Sequence, residues 1–200
     1  MPLTWVIQGM DDHYESMMDR LLWSYYDNDK YVAESISTIH CPDREDERKR
    51  IEMLGGKVRS LRLANGEQSV ARVYNKAGDL GGLAMSRSVG DFYLQRYGVI
   101  SEPDLYEREV VDQTIGILIG TDGLTTSCGM STIFSTILEE RSPHRGLKKL
   151  AKKCYQQMMD CSDRQYVDDI SGVYVQIHPI SNYPNTEIWI DRIPLSQSPL

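Results

Sequence analysis

The chain has 200 residues, of which 40% are hydrophobic and 26% are charged, and this composition is typical of a soluble globular protein rather than a disordered segment. Its formal net charge of -7 argues against a nucleic-acid partner or an anionic membrane surface, because both attract basic proteins. No C-x-x-C pair occurs among the four cysteines, so we expect no zinc site, and free thiols in a reducing compartment, cytoplasmic or nuclear. The apolar run Ile115–Gly120 is far shorter than a membrane span.

The N-terminal half contains one weakly patterned segment and one well-patterned segment. His13–Tyr26 carries apolar residues at helical spacing, which predicts an amphipathic helix. After Pro42 an acidic turn precedes a basic one and Gly55-Gly56 follows, so we predict a helix between these points. Asn65-Gly66 then predicts a hairpin turn between two short strands.

The C-terminal half alternates strand and helix patterns. Thr114–Gly120 is apolar almost throughout and predicts a strand buried on both faces. Apolar residues at helical spacing predict helices at 129–139 and 145–160, and Ile170–Ile177 favours a further strand. The segment Ser181–Leu200 contains three prolines among polar residues, so we expect a loosely held tail.

Two acids at strand ends form the candidate metal site. Asp122 follows the predicted strand Thr114–Gly120, and Asp168 precedes Ile170–Ile177. Acids at strand ends can meet without crossing a core, and hard divalent cations prefer oxygen ligands on rigid elements. Gly123 would let the chain turn sharply and would admit water or phosphate close to the backbone. The alternative is that Asp122-Gly123 is simply a turn.

Five sequence blocks occur in an order that resembles the metal-dependent protein phosphatases, the PPM or 2C-type family, over about residues 32–178. They are 42–58, Gly81–Phe92, Tyr97–Pro103, Thr121–Gly123 and Asp168-Asp169.

The resemblance implies a protein serine/threonine phosphatase that acts on phosphoproteins. Two Mg²⁺ or Mn²⁺ ions would activate a water that attacks phosphoserine or phosphothreonine in line, without a covalent enzyme intermediate. Asp122 and Asp168 correspond to two of the family's metal-binding acids. Asp91 matches the aspartate of the family's Gly-Asp-Phe motif, and we favour a supporting role for it over a ligand role. We expect the protein to be a monomer.

The same resemblance implies the fold class and the domain organisation. We expect an α/β (α+β) fold, a four-layer sandwich of two mainly antiparallel sheets flanked by helices, incomplete at the N-terminal side. Residues 1–31 would be a divergent N-terminal segment, 32–178 a partial phosphatase domain and 179–200 a C-terminal tail.

The sequence departs from the family pattern at several ligand positions. The family's early acid, its phosphate-holding arginine and its Asp-Gly-His-Gly-Gly motif are not recognisable, and Asp11 and Asp12 are better explained as a helix cap. Thr126 stands where many members carry an acid for a third metal. We therefore expect one bound ion or none, and the alternative function is a pseudophosphatase or binding module. A truncated product without a stable fold is a third hypothesis.

Three further groups of residues, an arginine, two cysteines and four lysines, can each be interpreted in two ways. Arg87 would either meet an acid near the site or pin the flap of the domain. Cys154 and Cys161 share one face of a predicted helix, and we favour core packing over redox chemistry. The lysines at 148–149 and 152–153 are interpreted as a solvated helix face, with docking as the alternative.

Overall fold

The computed structural model describes residues 2–7, 20–62, 66, 68–140, 142–161, 167–183 and 188–192, the first of these segments by its backbone alone. The chain forms two compact units. The first comprises Met1–Trp5, Met18–Thr38 and Tyr106–Leu200, and the second comprises Val6–Met17 and Ile39–Leu105.

Strands and helices alternate along the chain. The strands are β1 Pro2–Ile7, β2 Arg20–Asp27, β3 Lys30–Ser35, β4 Lys57–Arg59, β5 Arg72–Tyr74, β6 Gly81–Leu83, β7 Asp104–Glu109, β8 Thr114–Gly120, β9 Gly172–Gln176 and β10 Trp189–Arg192. The helices are α1 Glu45–Met53, α2 Phe92–Gln95, α3 Asp122–Thr125, α4 Met130–Leu138 and α5 Pro143–Cys161, with a 3-10 turn at Ile180–Asn182.

A five-stranded sheet forms the centre of the first unit. Its strand order is β10-β3-β2-β8-β9, and each neighbouring pair is antiparallel except β10 with β3. The prediction of a buried strand at Thr114–Gly120 is confirmed, because all but one of its residues are buried. A separate two-stranded sheet joins β1 and β7.

Helices α4 and α5 pack on the central sheet around a common apolar cluster. Phe134 of α4 and Leu150 of α5 are fully buried together with Leu118 of β8. Full burial of such a side chain stabilises the fold by about 1.5–3 kcal/mol relative to exposure. The helices predicted at 129–139 and 145–160 are thus confirmed with shifts of one or two residues at their ends.

The second unit has its own small core. Its three-stranded sheet has the order β4-β5-β6, and its core contains Ile51 of α1, Val73 of β5 and Leu94 of α2. The predicted helix after Pro42 is confirmed as α1, and the antiparallel pairing of β4 with β5 confirms the two strands of the hairpin. Asn65 of the predicted turn lies outside the described residues. The mixed α/β class with mainly antiparallel sheets and flanking helices agrees with the expected fold class.

The helix predicted at His13–Tyr26 is wrong where the structure describes it. Residues 13–19 lie outside the described part, and Arg20–Asp27 forms strand β2, which pairs with β3 and β8. The helical pattern arose because Leu21, Leu22 and Trp23 are all buried, so a strand covered on both faces lacks simple alternation.

The expectation of a loosely held tail is also wrong for part of Ser181–Leu200. Trp189–Arg192 forms edge strand β10, and the Trp189 ring lies 5.0 Å from that of Tyr31 and 6.4 Å from that of Phe134. Burial of these aromatic faces outweighs the turn-forming composition nearby. The division at 1–31, 32–178 and 179–200 stays a prediction.

Candidate functional site

The two predicted acids lie at one edge of the central sheet. β8 and β9 are adjacent antiparallel strands, and Gly120 pairs with Gly172 where the first ends and the second begins. Asp122 follows as the first residue of α3, and Asp168 lies in the segment that leads into β9. The sheet register therefore brings the two acid-bearing segments together.

Thr121 joins these segments by hydrogen bonds. Its backbone N–H donates to the Ser171 carbonyl at 3.0 Å, and its hydroxyl Oγ1 donates to the Asp169 carbonyl at 2.9 Å. The N–H of Ser171 in turn donates to Thr121 Oγ1 at 3.0 Å. Sequence reasoning missed this role, since it depends on the pairing of two strands about 50 residues apart.

Gly123 allows the close approach of the second segment. A Cβ at this position would lie 2.4 Å from the Asp169 carbonyl oxygen and 3.2 Å from the Asp168 Cβ. The space that a side chain at 123 would need is therefore filled by the other acid-bearing segment, and the expected approach of water or phosphate stays a prediction. A larger residue at 123 would push the two segments apart.

The two carboxylates differ in burial but share one kind of contact. Asp122 is 7% exposed, and its Oδ1 accepts the N–H of Gly123 at 2.7 Å. Asp168 is half-buried, and its Oδ1 accepts the N–H of Asp169 at 2.9 Å. In both residues one carboxylate oxygen is thus held by the backbone of the following residue.

Thr126, where the resemblance predicts that other members carry an acid, makes a structural hydrogen bond here. Its hydroxyl donates to the Asp122 carbonyl at 2.7 Å and so closes the short helix α3. A hydroxyl in this contact holds the backbone that carries Asp122.

The donor chemistry of Asp122 and Asp168 fits Mg²⁺ or Mn²⁺, which bind carboxylate oxygens. Within the described ranges, however, no group of three or more His, Cys, Asp or Glu side chains is placed to hold a metal ion. Asp122 and Asp168 alone offer two carboxylates, and the described residues do not by themselves form a two-metal centre.

Asp91 and Arg87 belong to the second unit and make local contacts. Asp91 has a positive φ of 46° just before α2, and its Oδ2 accepts the hydroxyl of Ser88 at 2.7 Å. Arg87 donates to Glu47 Oε1 at 2.7 Å and to Asp104 Oδ1 at 2.7 Å. These ion pairs hold parts of the second unit together, and the two roles predicted for Arg87, near the site or at the flap, both stay predictions.

The chain resembles known proteins along most of its length. The family model of protein phosphatase 2C matches residues 26–165. "Probable protein phosphatase 2C 12" of Oryza sativa subsp. japonica is 29% identical over 146 residues, which are 73% of this chain and 37% of that protein. "Probable protein phosphatase 2C 35" of Arabidopsis thaliana is 26% identical over 178 residues, 82% of this chain and 51% of that protein. The chain thus spans about half or less of these curated relatives.

Solved structures with the same fold extend this similarity. The serine-threonine phosphatase 2C of Toxoplasma gondii superposes with a TM-score of 0.68 at 21% identity, covering 80% of this chain and 52% of that one. A sex determining protein of C. elegans superposes with a TM-score of 0.54 at 17% identity, covering 90% of this chain and 38% of that one. These likenesses concern the fold, whereas the family model matches well over half of the sequence. The chain belongs to the protein phosphatase 2C family.

Proposed function

We propose that this chain supplies the Asp122 and Asp168 part of the metal centre of a metal-dependent protein serine/threonine phosphatase. The observation that carries the proposal is the joining of the two acid-bearing segments by Thr121 and Gly123 at one sheet edge. Family membership supports the reaction class, which is hydrolysis of phosphoserine or phosphothreonine in a phosphoprotein substrate.

The residues of this chain have distinct tasks in the proposal. Asp122 and Asp168 would each offer carboxylate oxygen to a single Mg²⁺ or Mn²⁺, which when bound would neutralise charge and acidify water. Thr121 fixes the distance between the two segments through its hydrogen bonds. Burial of Asp122 on α3 limits the conformations of its side chain, so the ligand is held before the ion arrives.

Further proposals concern the bounds of the domain, the oligomeric state, the compartment and the partners of the protein. We propose that residues 32–178 act as the phosphatase-like part, that the protein is a monomer in the cytoplasm or nucleus, and that it has neither a nucleic-acid nor a membrane partner. Among the described helices, none combines the length and apolar character that a membrane crossing requires.

Hydrolysis of a phosphothreonine peptide in Mn²⁺ tests the proposed function. If this chain is a phosphatase by itself, the wild type should release phosphate and Asp122→Ala should lose at least about tenfold in rate, the usual minimum when a metal site is disturbed. Asp160→Ala is the matched control, because Asp160 is an exposed acid on α5 that contacts Gln156. Circular dichroism shows whether each variant is folded.

The outcomes separate the proposal from its alternative. Loss of activity in Asp122→Ala with retention in Asp160→Ala supports the phosphatase. A folded wild-type chain that binds Mn²⁺ but releases no phosphate would instead support a pseudophosphatase or binding module. Equal activity in the wild type and Asp122→Ala would contradict the assignment of Asp122.

A further inference from the structure

Two buried thiols of the first unit lie side by side. The Sγ atoms of Cys128, which follows α3, and Cys154, within α5, are 3.9 Å apart. Cys128 is 6% exposed and Cys154 is fully buried, and both are free thiols. The core packing favoured for Cys154 and Cys161 is confirmed for Cys154 and wrong for Cys161, which is exposed. Cys128 and Cys154 are 26 residues apart in sequence, so it is the packing of the folded chain that brings them together.

We propose that Cys128 and Cys154 are a modification site, at which a hydroperoxide converts the two thiols into one intrachain disulfide. A disulfide has its sulfur atoms about 2.05 Å apart, so the two Sγ atoms must approach each other by about 1.9 Å. Cys128 lies in the loop after α3 and Cys154 lies in α5, and both side chains belong to one apolar cluster that also contains Leu124 and Leu150. The proposal rests on this geometry and is independent of phosphatase activity.

The chemistry divides naturally between the two thiols. The sulfur of Cys128, the more exposed of the pair, attacks the peroxide, the O–O bond breaks, and one oxygen stays on the sulfur as a sulfenic acid. The other oxygen leaves as water, or as an alcohol from an organic hydroperoxide. The Cys154 sulfur then attacks the Cys128 sulfur, the S–O bond breaks, and the hydroxyl leaves with the thiol proton as water. Two thiols lose two electrons in total, and one peroxide gains them.

The surroundings of the thiols agree with this order. Burial raises the pKa of the Cys154 thiol to about 12, so it stays protonated at neutral pH and is poorly suited to the first attack. The Sγ atom of Cys128 lies 3.2 Å from the side-chain oxygen of Gln157, which is an exposed residue, so a peroxide can reach this thiol more easily than the fully buried Cys154. The first step is therefore expected at Cys128 and the second at Cys154.

The disulfide would restrain the region that carries the candidate site. Cys128 lies just beyond α3, whose first residue is Asp122, and the S–H of Cys154 contacts the carbonyl of Leu124 at 3.6 Å. Closing residues 128–154 into a covalent loop reduces the conformational entropy of the unfolded chain. Oxidation should therefore stabilise the folded state rather than disrupt it.

Peptide mapping of the full chain tests the proposal. The folded protein is treated with hydrogen peroxide, its remaining thiols are blocked with N-ethylmaleimide under denaturing conditions, and it is digested without reduction. We expect the peptides with Cys128 and Cys154 to appear joined, two hydrogens lighter than their sum, and separable by dithiothreitol. Cys161→Ser should give the same link, and Cys128→Ser should leave Cys154 open to alkylation.

Two further measurements make the result decisive. The melting temperature of the oxidised protein should rise by about 4 °C or more, and dithiothreitol should reverse the rise. Oxidation in urea should give mixed links, because the specific pairing depends on the fold. Full alkylation of Cys128 and Cys154 after peroxide, a link to Cys41 or Cys161 instead, or a lower melting temperature would each overturn the proposal. The wild-type map alone decides the matter if Cys128→Ser does not fold.

Discussion

The hydroxyl of Tyr174 is buried beside Gly116 and, among the residues that the structure describes, has no hydrogen-bond partner. The phenol ring packs edge-on against Phe134 in the main core, with ring centroids 6.3 Å apart. A buried hydroxyl without a partner loses its hydrogen bonds to water, which costs about 1–3 kcal/mol. The ring of Tyr174 therefore stabilises the first unit, whereas its hydroxyl does not.

Tyr174→Phe should keep or raise the free energy of unfolding, by up to about 1–3 kcal/mol, because it removes only the unpaired hydroxyl. Tyr174→Ala should lower it by about 3–5 kcal/mol, since it removes the ring from the core. Urea denaturation of both variants measures the two changes. A clear loss of stability in Tyr174→Phe would mean that the hydroxyl has a stabilising partner.

Glu47 is the central acid of an ion-pair network in the second unit. Its side chain is fully buried, and Arg44, Arg50 and Arg87 all donate to its carboxylate. Burial opposes the charged form, but hydrogen bonds from Arg50 and Arg87 outweigh it and hold the Glu47 pKa well below its ordinary value. The network links α1 to the segment of Arg87, so it stabilises the second unit only while Glu47 is ionised.

Glu47→Gln should lower the free energy of unfolding by about 3–5 kcal/mol at pH 7, because it removes the acid that the buried Arg87 and the partly buried Arg44 and Arg50 share. The pH dependence has a defined sign. A depressed pKa in the folded state gives stability that is present above the ordinary value of 4.5 and is lost as the pH falls below it. Urea denaturation between pH 7 and pH 3 should show this acid loss in the wild type.

Glu47→Gln should lose less of its free energy of unfolding than the wild type as the pH falls from 7 to 3. The stabilities of the two proteins should therefore approach each other at low pH. Burial and nearby arginines lower the pKa of His40, and contacts with His40 and Arg87 lower that of Asp104 in spite of burial. Both groups reduce stability in acid in the two proteins alike, so the difference reports Glu47. Parallel curves for the wild type and Glu47→Gln would contradict the role assigned to Glu47.

At the scale of elements, Gly146 of α5 lies close against the backbone of α4. A Cβ at Gly146 would lie 2.3 Å from the carbonyl oxygen of Ile137, which is a backbone atom and cannot rotate away. The two helices can therefore approach closely only while residue 146 has no side chain. The same contact helps to keep Phe134 and Leu150 in one core.

Gly146→Ala distinguishes this contact from helix propensity. Propensity alone would make the variant more stable by about 1 kcal/mol, whereas the contact with Ile137 predicts a loss of about 1–3 kcal/mol. Lys152→Ala on the exposed face of α5 is the matched control and should change stability by less than about 0.5 kcal/mol. Denaturation curves that show Gly146→Ala to be stabilised would refute the close packing of α4 on α5.

The hairpin of β2 and β3 shows what local patterns can and cannot predict. Asn28 and Asp29 have positive φ values of 47° and 61° and form a two-residue turn, since Asp27 pairs with Lys30. That turn was a readable signal, and reading it would have replaced the predicted helix by two strands. The pairing of β10 with β3 had no such signal, because it depends on residues about 158 positions apart in sequence.

At the scale of the whole molecule, the sequence predicted the family and the fold class, and it placed Asp122 and Asp168 next to the strands that became β8 and β9. Asp122 and Asp168 stand next to strongly apolar strands, so their placement at strand ends followed from periodicity. The hydrogen bonds of Thr121 to Asp169 and Ser171, and the close approach of Gly123 to Asp169, depend on the register of β8 with β9. No local pattern encodes that register, nor the meeting of Cys128 with Cys154.

Binding of Mn²⁺ to the full chain, measured by isothermal titration calorimetry, is the most direct test of a shared site at Asp122 and Asp168. A shared site predicts one binding event for Mn²⁺ in the wild type. The affinity should fall about tenfold or more in both Asp122→Asn and Asp168→Asn, and it should be unchanged in Asp160→Asn. Binding that is unaffected by one or both of the first two variants would contradict it.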